Sequence, residues 1–242
     1  MTIYHFFSII IIILAIAVLT GMRQIGNITL KQAIIFVGYG FIGALIWAAI
    51  YMIIYSLPFV AELEHQFPLP YIMVDVFITE AFLIEFIKDQ SVHRGVESGK
   101  IPIKTVFDAV VFGALVGIGF GVVENIADMI LEPNPDILFL FEEAGLVLNN
   151  IVFGSMMGYY IGMSHFYKSK GDETKGKQMF IAGLIIPSVL HGIPNFLEAL
   201  VEHHMAPEWV EWLAVAIEAV IVIVGIFLFF KWKRTMIKMR HD

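Results

Sequence analysis

Several acids, amides and one histidine stand inside otherwise apolar stretches of this chain, and they are the side chains able to do chemistry. Glu124 closes the run Gly117-Ile118-Gly119-Phe120-Gly121-Val122-Val123-Glu124-Asn125. Glu80 and Glu85 share a stretch with Asp75, Thr79 and Lys88. His191 and Asn195 are four residues apart, between and beside Pro187 and Pro194. Asn150 heads a series with Gly154, Gly158 and Gly162. Two carboxylates and an imidazole in a water-limited cavity can hydrolyse a peptide bond in two ways. In one, a glutamate takes a proton from water while His191 and an asparagine amide stabilise the oxyanion. In the other, Glu85, Glu124 and His191 hold a divalent metal such as zinc, which activates the water. The second route is weaker in ligands, because the chain has no His-Glu-x-x-His signature and one deep histidine. With no cysteine there is no thiolate nucleophile or disulfide. Ser155 and Ser188 lack a visible triad, and no Gly-x-Ser-x-Gly elbow is present.

The elements that must carry these residues are membrane helices. The 242-residue chain is 59% hydrophobic, with a mean hydropathy of +0.82. Seven apolar segments, near 4–20, 34–57, 70–88, 105–131, 138–166, 179–202 and 209–231, approach or exceed the ~20 residues needed to span a bilayer. The expectation is an all-α, seven-span bundle forming a single domain over 1–242. The first segment has no basic n-region and no small-residue cleavage site, so it reads as a retained helix.

Glycines 113, 117 and 121 recur every four residues and line one side of a helix. Such stripes let two membrane helices approach backbone to backbone. Glu124 falls near the same stripe, so its carboxylate is expected to face a neighbouring helix. The series from Asn150 to Gly162 makes a similar face on the next helix. An ionisable group in such a place is costly and marks a functional site by default. The plainer alternatives are an acid that only joins helices at Glu124, and a Lys88 that snorkels from a helix end.

From the outer helix ends, at ~1.5 Å per residue, Glu124 lies about 10 Å deep, Glu80 about 14 Å, and Asn150 and His191 about 18 Å. Glu85 lies about 20 Å deep, so a broken or tilted helix is needed to bring it into the layer. Glu80 and Glu85 are about 140° apart on an ideal helix and cannot face one cavity without distortion. Glu85 and Lys88, three apart, can pair on one face.

The same residues suit a proton-coupled transporter, although no internal repeat is seen, or a membrane scaffold that binds other membrane proteins through its glycine faces. Nothing in the charge pattern points to nucleic acid.

Three stretches together resemble the PrsW family of intramembrane proteases, distant relatives of the CAAX prenyl endopeptidases. Glu85-Phe86-Ile87-Lys88 is similar to the family's Glu-Glu-x-x-Lys. Asp108 through Gly117-Ile118-Gly119-Phe120 to Glu124-Asn125 is similar to its Gly-x-Gly-Phe-x-x-x-Glu-Asn. His191 through Asn195 is similar to its late His-x-x-x-Asn/Asp. Ile84 stands where the family carries a second glutamate, and Asn150 where it often has a histidine. The resemblance implies regulated proteolysis of a membrane-anchored substrate, such as an anti-sigma factor, in the cell membrane. It implies Glu85, Glu124, His191 and Asn195 as catalytic residues, with Lys88, Asn125, Asn150 and Glu80 in support.

All fifteen basic residues fall on alternate connections: Arg23 and Lys31; Lys88 to Lys104; Lys168 to Lys177; and Lys231 to Arg240. The other connections carry acids such as Glu62, Glu64, Glu132, Asp136, Glu202 and Glu208. The positive-inside rule then puts the N-terminus outside and the C-terminus in the cytoplasm. Reporter fusions at His65 and Gly171 are expected to report opposite sides, external and cytoplasmic. The same side for both would break the segment count.

Overall fold

A computed structural model describes residues 20–22, 25, 28–97, 104–131, 137–236 and 239. Its regular elements are helices, with no strand among the described residues. They are α1 Leu30–Tyr55, α2 Pro58–Gln66, α3 Pro68–Val74, a π-helix Asp75–Phe82, α4 Leu83–Glu97, α5 Val106–Leu131, α6 Ile137–Ser169, α7 Glu173–Glu202 and α8 Trp209–Met236. The helix starts are written in the sequence. Thr29 and Gln32 form a reciprocal capping box on α1. Pro58 and Pro68 occupy the first turns of α2 and α3, where a missing N–H costs nothing. Asp108 Oδ2 accepts the N–H groups of Lys104 and Thr105, while Thr105 Oγ1 accepts the N–H of Asp108 at 3.1 Å. Thr105 is therefore the N-cap of α5, and Asp108 is its reciprocal partner in the first turn. Asp172 caps α7 after the left-handed Gly171, accepting the Lys175 N–H at 3.0 Å. That backbone bond, with the Lys175 ammonium beside it, holds the Asp172 carboxyl below its ordinary range.

Among the described residues, five helical stretches are long and apolar enough to cross a membrane: Leu30–Tyr55, Val106–Asp128, Gly145–Ser169, Glu173–Glu202 and Trp209–Met236. The expected span at 70–88 is a continuous helical run from Pro68 to Glu97 through the π-helix, more polar than the other five. The expected span at 4–20 lies outside the described residues. The short helix α2 was not anticipated.

α5 is the centre of the bundle. Its apolar stretch is 83% buried, against 28% for α1 and 17% for α8, whose Ile34, Ile42, Ile223 and Phe227 face outward as a lipid-contacting surface requires. α6 packs along one side of α5 and α1 along another. The glycine stripe is the reason for the first contact. A Cβ on Gly113 would strike the Gly154 backbone, one on Gly117 the Asn150 backbone, and one on Gly158 the Ala109 backbone. A second pair, unremarked in the sequence, makes the other contact. Gly119 lies on the backbone of Val37, and Gly40 on that of Val116.

Gly113→Ala is expected to destabilise the protein by about 1–3 kcal/mol, because neither helix backbone can yield to a methyl group. Gly38→Ala, where a Cβ meets open space, is expected to be neutral or stabilising by up to about 1 kcal/mol. Thermal unfolding in detergent micelles checks the pair, and equal effects would contradict the packing.

Candidate active site

The polar residues assemble into three pairs held across helices. Glu85 on α4 is fully buried, as is Lys88 one turn on. Glu85 Oε1 accepts from Lys88 Nζ at 2.8 Å and faces His191 Nδ1 on α7 at 2.8 Å. Glu85 Oε2 is buried without a partner. Glu124 on α5 accepts from Asn150 Nδ2 on α6 at 2.7 Å, and the same amide nitrogen donates to the Leu146 carbonyl at 3.0 Å. Glu80 in the π-helix accepts from Asn195 Nδ2 on α7 at 3.4 Å.

The π-helix settles how Glu80 and Glu85 share a face. Its wide turns depart from the α-helical 100° step. Glu80 reaches Asn195 and Glu85 reaches His191, and those two partners are one turn apart on a single helix. The distortion that the spacing demanded is present. Trp47 of α1 braces it, donating its indole N–H to the Thr79 carbonyl at 3.4 Å. π-turns of this kind occur frequently at functional sites.

Lys88 does not snorkel. Its ammonium lies 4.8 Å from the centre of the Phe120 ring and 6.0 Å from that of Phe153, within the range of cation–π attraction. Phe153 also stacks on His191, with centroids 5.3 Å apart and planes 16° from parallel. Phe120 stands in the motif that carries the family resemblance but was given no role there, and Phe153 was not singled out from the sequence. Phe120 lies one turn before Glu124, and Phe153 three residues after Asn150, which is the spacing that could have found them. Asp89, fully buried with Oδ1 unpartnered, was missed as well. Asn125 is buried beside Glu124. Ser155 and Ser188 are no nucleophiles here, since each hydroxyl donates to the carbonyl four residues back, at 2.7 Å.

A half-open cavity of about 570 Å³ reaches these pairs from the end of the bundle that carries Glu64, Glu202 and His203. Glu80, Asn150, His191 and Asn195 line it. Glu124 and Glu85 are not in its lining. Each stands one residue behind the wall, held by Asn150 and His191 respectively. An amide and an imidazole thus stand in front of the two acids.

The three candidate zinc ligands do not converge. Among the described residues, no three His, Asp or Glu side chains are placed to hold a metal ion. Glu85 Oε1 is already shared between an ammonium and an imidazole, and the Lys88 charge beside it would repel a second cation.

Residues 30–230 match the family described as "PrsW family intramembrane metalloprotease". The chain belongs to the PrsW family. Three proteins named "Protease PrsW" align with it. That of Oceanobacillus iheyensis is 29% identical over 64% of this chain and 66% of its own length. That of Bacillus subtilis is 32% identical over 38% of this chain and 39% of its own. That of Shouchella clausii is 34% identical over 40% and 42%. The matches thus span less than two thirds of those relatives. No solved structure matches. In this PrsW-family chain the position of the second glutamate, Ile84, is 3% exposed and packs with Ala44 and Phe120. The niche is apolar, so no acid stands at that position, and Glu85 is held by Lys88 and His191.

Lys88→Met is expected to cost about 3–5 kcal/mol, since it leaves a buried carboxylate without its cation. Glu85→Gln combined with Lys88→Met removes both charges and is expected to recover most of that loss. Unfolding in micelles measures both variants. A harmless single Lys88→Met would show that the pair is solvated.

Proposed function

We propose that this chain is an intramembrane endopeptidase that cleaves a membrane-anchored protein, for example an anti-sigma factor, in regulated proteolysis. It would sit in the cell membrane with its N-terminus outside and its C-terminus in the cytoplasm. The observation that carries the reading is the Glu124–Asn150 pair at the wall of a polar cavity inside a bundle of membrane helices. Family membership and the PrsW relatives support it.

In this mechanism Glu124, 7% exposed behind the Asn150 amide, takes a proton from a water that enters beside that amide as the water attacks the scissile carbonyl. The same proton passes to the amide nitrogen as the C–N bond breaks, so the peptide leaves as an amine and a carboxylic acid. Asn150 orients Glu124. Glu85 holds His191 through Nδ1. In its charged form the ring also carries an N–H on Nε2, which donates to the oxyanion. Lys88 pairs with Glu85, and Asn195 with Glu80 fixes the neighbouring turn of α7. With Ile84 in place of a second acid, cleavage is expected to be slow.

Glu124→Gln keeps size and packing but removes the base. With purified protein in lipid and candidate single-span proteins, it is expected to lower the cleavage rate by about 10²–10⁴-fold with unfolding unchanged. A proton-coupled transporter would instead show no cleavage in the parent and lose pH-driven uptake in the variant. Unchanged cleavage of a validated substrate would make Glu124 structural.

A further inference from the structure

The charge lining the cavity is one-sided. Seven carboxylates face it, among them Glu64, Asp75, Asp128, Glu202 and Glu218, and among the described residues no lysine or arginine does. Its two histidines are already engaged, His203 with Glu64 at 3.4 Å and His191 with Glu85 at 2.8 Å. Like charges gathered around a concave site focus a negative potential and raise the local concentration of cations.

Two further features point to a guest. Asn149 and Asn150 line the cavity, and each is at least nine-tenths buried with an amide oxygen that has no partner. Those are acceptors in want of N–H donors. Tyr51 and Tyr55 form part of the wall, stacked with centroids 4.1 Å apart, and Tyr71 stands with them. Aromatic faces beside carboxylates suit an ammonium or guanidinium group, which donates to the oxygens and rests on the rings. No three of the carboxylates converge on a point as a metal ion would need. A flexible organic cation fits this dispersed arrangement.

We propose that the cavity selects its substrate by lysine or arginine residues placed just beyond the membrane span, on the side where the cavity opens. This deepens the protease reading above and rests on it for the guest being a polypeptide. By the charge sorting of the loops, that side is external. Single-span proteins concentrate their basic residues on the cytoplasmic side, so an external basic flank would be an unusual mark among membrane proteins. Acidic flanks would be repelled, and repulsion of wrong partners is an effective source of specificity.

The test uses the full chain in nanodiscs of zwitterionic lipid. Three single-span peptides differ only in the triplet following the span on the external side: lysine, glutamine or glutamate. Equilibrium binding is read by fluorescence anisotropy, and cleavage is followed in parallel. The lysine peptide is expected to bind about tenfold or more tightly than the glutamine peptide, with the glutamate peptide weakest. The gap is expected to narrow to about twofold near 0.5 M salt, where exposed charges are screened. It should narrow similarly in Asp128→Asn combined with Glu202→Gln, two residues outside the proposed chemistry. Equal binding of the three peptides would overturn the proposal, as would a lysine preference that survives both salt and the double variant. If the double variant fails to fold, the peptide series and the salt series on the parent still decide. Lysine-selective binding without any cleavage would remove the protease reading and keep the charge selection. Cleavage of all three peptides at equal kcat/KM would do the reverse.

Discussion

The contact between the backbones of α5 and α6 sets the rest of the structure. Gly117 lies directly on the backbone of Asn150, and Gly113 on that of Gly154. In a bilayer the lipid tails are as apolar as leucine, so helices gain little by hiding apolar side chains from it. Close approach, with its many small dispersion contacts and its interhelical hydrogen bonds, is what holds them. At this spacing an asparagine on α6 spans the gap to a glutamate two turns along α5, and the 2.7 Å bond between them follows. The glycines and the polar pair are one device. Widening the helix spacing would loosen both.

A second constraint is the cost of placing charge out of water. Glu85 and Lys88 are fully buried, and each would be expensive alone. They share the expense with His191 and with the faces of Phe120 and Phe153. The π-helix makes this sharing possible by turning Glu85 and Glu80 toward the same side of α7. The Trp47 indole donates to the Thr79 carbonyl of the π-helix. The π-helix and the polar site are therefore tied to α1 as well as α7.

Much of this was legible in the residues. Glycines at every fourth position pointed to a helix contact, and the acid near the stripe pointed inward, because those inferences need only the α-helical period. Five of the seven expected segments agreed with described helices to within about six residues at each end, while the third runs on to Glu97 and the first lies outside the described residues. The π-helix was not legible, since no residue type in Asp75–Phe82 announces it. The demand for it was, in the depth and angle of Glu85. Partnerships between helices were beyond reach. His191 and Asn195 read as a pair on one face, yet each bonds to a different acid on another element. Lys88 near a helix end read equally well as snorkelling, because exposure depends on α5 and α6 covering that end. The acid lining of the cavity gathers residues from five elements, and no stretch of sequence shows their convergence.

The central claim is that Glu124 and Asn150 act as one unit because the helix contact holds them together. A double-mutant cycle on the cleavage rate, with Glu124→Gln, Asn150→Leu and the two combined, measures that unity directly. Groups in one hydrogen-bonded network show coupling of about 0.5–3 kcal/mol. The account predicts strong non-additivity, with the double variant little worse than Glu124→Gln alone. Losses that simply add, within about 0.5 kcal/mol, would show that the two residues work independently and would contradict it.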